Sequence, residues 1–252
     1  MTAIPLPLPS AGQRFLARAV AILEQIAADQ LPAIRAAAGC VTDTVGGGGL
    51  VHVFGTGHSH MLAEEMFYRA GGLAAVNPIL IASLMLHTGA ENSTRLERQR
   101  GVAATIFAEH PLKAGDTLIV ASNSGGNAVC EELTQLAHDA GARVVAIVSG
   151  RHAHHLASEQ NAPRLVDLAD VVIDNHGEVG DASVEIEGFE RRVGPTSTVA
   201  GAAIVNAIVA EAVEMLTGRG LAVEVFSSSN LAGGDAANAE LVSRFRKHVR
   251  AL

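Results

Sequence analysis

A chain of 252 residues with a 48% apolar fraction can bury a sizeable core, and with aromatic residues at 3% and no Trp that core must be built from Ala, Val, Leu and Ile. The formal net charge of −8, with no basic patch or tail, argues against nucleic acid as a partner. Charged residues at 17% fall below the usual share, which points to surface buried between subunits.

Cys40 and Cys130 have neither metal-ligand nor C-x-x-C spacing, so they read as plain thiols of a reducing compartment. The first ten residues lack the charged and apolar regions of a secretory signal. The apolar stretch Leu73 to Leu86 is broken by Asn77, Pro78 and Ser83 and is too short to cross a bilayer. A cytoplasmic protein with no membrane contact is expected.

Ser10 and Gln13 form a capping-box pair ahead of a helix whose apolar positions are Leu16, Val20, Leu23 and Ile26. Pro32 either kinks this helix or starts a second one, and Gly39 predicts a stop, giving a helical arm over residues 1–39. After the Gly46–Gly49 loop, Leu50–Phe54 reads as a buried strand running into Gly55-Thr56-Gly57-His58-Ser59-His60 and a helix to about Ala70. A dinucleotide fingerprint would need a further glycine where His60 stands, and an acidic residue after the next strand. Neither is present, so no nicotinamide cofactor is expected.

Leu73–Ile81 holds a second strand, and Glu91–Glu109 reads as one helix ended by His110-Pro111. Thr117–Ala121 is a strand that opens into Ser122-Asn123-Ser124-Gly125-Gly126-Asn127, followed by an amphipathic helix from Ala128 to Ala140. Arg143–Val148 and Ala169–Asp174 are further strands. Strands alternating with helices predict an α/β protein with a parallel sheet covered on both faces, and ligands in such sheets bind beyond the carboxyl ends of the strands. Both polar turns lie there.

Asn175–Gly194 is a long polar stretch and a candidate active-site loop. Pro195, Thr196, Ser197 and Thr198 open an apolar helix from Val199 to Leu216, a third polar helix start. Leu221–Phe226 suggests a short edge strand, and Asp235 caps a last helix to about Val249.

A strand, a turn of small polar residues and a helix together direct hydroxyls and main-chain N–H groups at one spot, where a phosphate binds well. The bland alternative is that the serines only cap helices.

Ser122-Asn123-Ser124-Gly125-Gly126-Asn127 with Glu131 resembles the S-x-S-G-x-T/N…E signature of SIS (sugar isomerase) domains. Gly55-Thr56-Gly57-His58-Ser59-His60 resembles the G-x-G-x-S-H turn of phosphoheptose isomerases, and Gly194–Thr198 is similar to the hydroxyl-rich helix start late in other SIS domains. The resemblance implies a three-layer αβα, flavodoxin-like core with a five-stranded parallel sheet over 40–252, with a C-terminal helical extension. It implies a homodimer or homotetramer whose sites are often completed by a neighbouring subunit. It implies that Ser59, Ser122, Asn123, Ser124 and Asn127 hold the phosphate of a small-molecule sugar phosphate, with Gly55, Gly57, Thr196 and Ser197 lining the site. No metal and no cofactor are implied.

Phosphoheptose isomerases use a glutamate on the helix after the first glycine turn as base, with a later histidine assisting. Counted from Ser59, that position falls near Arg69, so the candidates for proton transfer are Glu65, His60 and His87. Glu65 equally suits a plain helical ion pair with Arg69. Glu91, Glu185, Glu187 and His176 lie in or near glycine-rich segments and are weaker candidates, and the run Arg151–His155 has no acidic or cysteine partner for a metal site. The favoured function is an aldose–ketose isomerase of a sugar phosphate or amino-sugar phosphate. The alternatives are a non-catalytic phosphosugar sensor and an etherase-type lyase.

Overall fold

The computed structural model describes residues 9–157 and 164–252. Helix α1 (Ala11–Asp29) starts at the expected capping box: Ser10 Oγ accepts from the Gln13 N–H at 3.2 Å, and Gln13 Oε1 accepts from the Ser10 N–H at 2.8 Å. Helix α2 (Leu31–Gly46) has Pro32 in its first turn, where a missing N–H costs nothing, so the proline starts a helix and kinks none. The stop expected at Gly39 is absent, because α2 runs through it to the glycine loop.

Strand β1 (Val51–Gly55) is followed by a 3-10 turn at Gly57–His60 and a short helix α3 (Met61–Met66). The helix expected to reach Ala70 therefore ends early, at an extended Phe67 and a left-handed Tyr68. Strand β2 (Val76–Ile79) follows. The single helix expected over 91–109 is two, α4 (Ala90–Glu97) and α5 (Val102–Glu109), parted by Gly101 at φ 86°. Strand β3 (Thr117–Ala121), helix α6 (Ala128–Asp139), strand β4 (Arg143–Val148) and helix α7 (Gly150–Ala157) come next. Helix α8 (Leu165–Leu168) and strand β5 (Val171–Asp174) complete the sheet.

The five strands are all parallel, in the order β2-β1-β3-β4-β5. Successive side chains alternate between two cores, as the strand period requires. Val53, Ile119, Val145 and Ile147 face α1, α2 and the long helix α9 (Ser197–Gly218), while Phe54, Leu118, Val120 and Val144 face α5 and α6. Helix α9 is apolar and long enough to cross a membrane, with a mean hydropathy of 1.7 over its most apolar window, yet Ile204, Ile208, Ala212 and Leu216 are fully buried in the first core.

The stretch expected to be a polar loop contains a β-hairpin, β6 (Ala182–Ile186) and β7 (Phe189–Pro195), closed by Gly188 at φ 75°. The edge strand expected at Leu221–Phe226 is reduced to one antiparallel bridge between Leu73 and Val225. Helix α10 (Gly234–Phe245) starts after Gly233, with Asp235 in its first turn, and ends short of Val249.

Candidate functional site

Strand order reverses at β1, so the turns after β1 and β3 flank the crevice where ligands of open sheets bind. The turn after β3 is held from below. Ser122 Oγ accepts from the Gly125 N–H at 3.2 Å, and the Gly125 carbonyl accepts from the Leu165 N–H at 3.1 Å. Gly125 sits at φ 66°, a conformation that strains any residue with a Cβ. Asn123 Oδ1 accepts from Asn175 Nδ2 at 3.0 Å, and Ser124 makes no side-chain hydrogen bond among the described residues.

The capping-only reading of this turn does not hold. Asn127 occupies the cap position of α6, but its side chain makes no cap hydrogen bond. Its Nδ2 donates instead to Thr56 Oγ1 at 3.3 Å, across to the glycine turn. Among the described residues nothing accepts from the N–H groups of Ala128, Val129 and Cys130. Three open donors at a helix start carry the positive end of the helix dipole and suit an anion.

The turn after β1 needs glycine for close approach: a Cβ on Gly55 would lie 2.5 Å from the Ser59 carbonyl carbon. Gly57 turns the chain at φ 53°. The two turns and the start of α9 enclose a narrow cleft of about 20 Å³ lined by Ser59, Ser122, Asn123, Asn175, Ser197 and Thr198, among others.

The third polar helix start differs from the other two. Asp181, in the left-handed region at φ 66°, accepts from the Thr196 N–H at 3.0 Å, the Ser197 N–H at 2.8 Å and Ser197 Oγ at 2.6 Å. The amino end of α9 already holds an anion of the chain's own. Ser197 reaches the cleft with its hydroxyl committed, and Thr196 is buried beneath, its Oγ1 without a partner.

The three candidates for proton transfer do not line the cleft. Glu65 is paired with Arg69 and also accepts from Asn206 Nδ2 on α9 at 2.7 Å. His60 is tied through Nδ1 to the Gly57 carbonyl, with Nε2 3.8 Å from Glu64. His87 is exposed in the 3-10 turn Leu86–Thr88. Of the weaker candidates, His176 lies between Asp29 at 2.8 Å and Asp174 at 3.5 Å, and Glu91, Glu185 and Glu187 are exposed.

A carboxylate that the sequence does not single out stands against the glycine turn, it too outside the residues that line the cleft. Glu97, half-buried at the end of α4, accepts from Thr56 Oγ1 at 2.7 Å through Oε2. The chain Asn127–Thr56–Glu97 thus joins the turn after β3, the glycine turn and one acid. Within the expected single helix over 91–109 no signal marked Glu97, because the break at Gly101 that ends α4 beside the crevice is a tertiary feature. Behind the turn, burial pushes the Glu131 carboxyl up, and the nearby charges of Arg100 and Arg164 oppose that shift. Burial likewise pushes the Cys130 thiol up to about 12, which keeps it a thiol at neutral pH.

An open parallel sheet with an uncapped helix start at its switch point places the chain among the α/β domains whose ligands bind beyond the carboxyl ends of the strands. The sequence profile of the SIS domain matches residues 14–149, and the chain belongs to the SIS domain family. It is 40% identical over 234 residues to a UPF0309 protein of Listeria monocytogenes serotype 4b, covering 92% of this chain and 95% of that one. A UPF0309 protein of Brucella anthropi is 45% identical over 196 residues, 78% of this chain and 80% of the relative. The fold is also that of a phosphoheptose isomerase from Francisella tularensis, with TM-score 0.52 and 16% identity over 79% of this chain and 95% of that one.

Proposed function

We propose that this protein binds a sugar phosphate or amino-sugar phosphate with the phosphate at the amino end of α6, and interconverts its aldose and ketose forms. The observation that carries the reading is the open helix start: among the described residues nothing accepts from the N–H groups of Ala128, Val129 and Cys130, which follow the turn of Ser122 and Ser124. Ser59, Ser122 and Asn123 line the cleft between the two turns, while Ser124 and the start of α6 lie outside its lining. The phosphate fixes the sugar, and binding energy from that remote group positions the reacting carbons.

Isomerisation moves a proton between C2 and C1 through an enediol, which needs one base in reach of both carbons. Glu97 takes that role in this reading. Thr56 fixes one carboxylate oxygen, and Oε1 has no protein partner among the described residues. Glu65 is held away by Arg69 and Asn206.

The test is thermal melting against a panel of hexose, hexosamine and heptose phosphates, followed by proton NMR in D₂O with those that stabilise. Deuterium entering C2, or an isomer peak, is the expected result. Stabilisation without exchange would replace the isomerase with a phosphosugar-binding module. Unchanged ligand affinity in Ser122→Ala/Ser124→Ala would remove the phosphate site itself.

A further inference from the structure

The opposite, amino-terminal edge of the sheet holds a second cavity of about 270 Å³, far from both polar turns along the strands. Its floor is made by His52 of β1, Asn77 of β2 and Asp116 just before β3, each nearly sealed from solvent, at 2%, 3% and 2% exposure. Its roof is the segment after α10, where Lys247, His248 and Arg250 are held over the floor by the fully buried Val249. Lys113 and His110 close the sides.

The floor is not internally satisfied. Asn77 Nδ2 donates to His52 Nδ1 at 3.0 Å, which leaves the imidazole proton on Nε2. That nitrogen faces Asp116 Oδ2 at 3.4 Å, within ion-pair distance but without the alignment of a full hydrogen bond. Asp116 is already engaged, with Oδ1 accepting from the Leu50 N–H at 2.9 Å and Oδ2 from the Lys113 N–H at 3.0 Å. Asn77 Oδ1 is likewise buried without a partner. One donor and one acceptor therefore stand unmatched in the floor of the cavity.

The rim carries three cations, Lys113, Lys247 and Arg250, against one carboxylate, Glu109, in a chain whose net charge is −8. Among the described residues no carboxylate lies within ion-pair distance of Lys113 or Lys247, and Arg250 has one partner, Glu109, at 3.0 Å. His110 feels this field: its burial first, then the charges of Arg250 and His52, pull its pKa below the ordinary value, while Glu109 opposes them.

We infer that this cavity is a second binding site, for a small phosphate-bearing anion, either inorganic phosphate or a phosphate monoester. A phosphate oxygen accepts from His52 Nε2, an O–H of the same ligand donates to Asn77 Oδ1, and Lys113, Lys247 and Arg250 neutralise the charge. A carboxylate would match the cations but would offer no donor to Asn77. The site is independent of the one at α6, because it shares no residue with it and lies at the other end of β1.

The experiment uses the full chain carrying Ser122→Ala/Ser124→Ala, which weakens the α6 site, titrated calorimetrically with inorganic phosphate and, in a second arm, with glycerol phosphate. Binding of one equivalent is expected, with a shift of the His52 imidazole resonances. Adding Lys247→Ala/Arg250→Ala should weaken it by about tenfold or more at an unchanged melting temperature. Tighter binding in one arm identifies the free ion or the ester as the better ligand, and either supports the site. The inference is overturned if neither probe binds the Ser122→Ala/Ser124→Ala chain, or if the Lys247→Ala/Arg250→Ala change leaves binding as it was. Failure of the α6 site alone leaves both of those readouts intact.

Discussion

Asp181 places its carboxylate on both the N–H and the hydroxyl of Ser197, at 2.8 and 2.6 Å, and so neutralises the start of α9 from within the chain. Helix α6 starts in the same polar crevice with no such carboxylate. Two helix starts of similar composition thus have opposite roles, one closed and structural, the other open. Asp181→Asn should lower stability by about 1–2 kcal/mol, the worth of a lost cap and of a charge at a helix start. Urea unfolding measures this. An unchanged midpoint would mean that the Asp181 contacts contribute nothing net.

Glu97 and Glu65 make separable predictions. Glu97→Gln keeps the bond to Thr56 possible but removes the base, so the rate of C2 exchange should fall by roughly 10²–10⁴-fold. Stabilisation by the sugar phosphate should persist in the same variant. Glu65→Gln should leave the exchange rate within a few-fold, because its carboxylate is spent on Arg69 and Asn206. Exchange lost in Glu65→Gln and kept in Glu97→Gln would reverse the assignment.

The sheet was legible because its evidence is local. Runs such as Thr117–Ala121 and Arg143–Val148 are apolar throughout, as strands buried on both faces must be, and glycines punctuate them. The hairpin over 182–195 was missed although Val184, Ile186, Phe189 and Val193 flank Gly188 with a hairpin's spacing, because glycines and charges dominate that stretch. The open turn at Ser122–Asn127 was readable because backbone donors follow from strand, glycine and helix alone. Glu97 and Asp181 were not. Each acts across a long sequence separation, on Thr56 and on Ser197, and no periodicity records which carboxylate a folded chain brings to a turn.

His110 sets a pH dependence with a definite sign. Its folded-state pKa lies below the unfolded value of about 6.5, since burial, Arg250 and His52 all disfavour the proton. Between those two values the unfolded chain binds more protons, so stability rises with pH through this window and is complete above about 6.5. Acidification below that point should destabilise the protein, and His110→Gln should flatten this limb of the melting-temperature profile. Phosphate held by Lys113, Lys247 and Arg250 would favour the protonated imidazole, raise its folded-state pKa towards the unfolded value and so shorten this limb. A limb that is identical in wild type and His110→Gln would assign it to other groups.

An apolar face on α1 and the hairpin predicts self-association. Leu16 and Val20 lie one helical turn apart and are 63% and 53% exposed, and Phe189 on β7 is 56% exposed. The two elements are neighbours: Arg14 Nη2 donates to the Glu185 carbonyl at 3.0 Å, and a Cβ on Gly194 would meet the Phe15 ring at 2.7 Å. Large side chains of this kind are rarely left in water on adjoining elements, and a two-fold pair of such faces buries both at once. A homodimer, or a tetramer built from it, is therefore the expected state in solution. This face adjoins the start of α9 through Asp181 and the hairpin, so a neighbouring subunit would sit close to the cleft. Leu16→Glu/Val20→Glu puts two charges into the interface while leaving the buried Ile22 and Ile26 untouched. Analytical ultracentrifugation should then show the monomer, at an unaltered far-UV circular dichroism spectrum. A wild-type monomer, or a double variant that still associates, would place the subunit contact elsewhere.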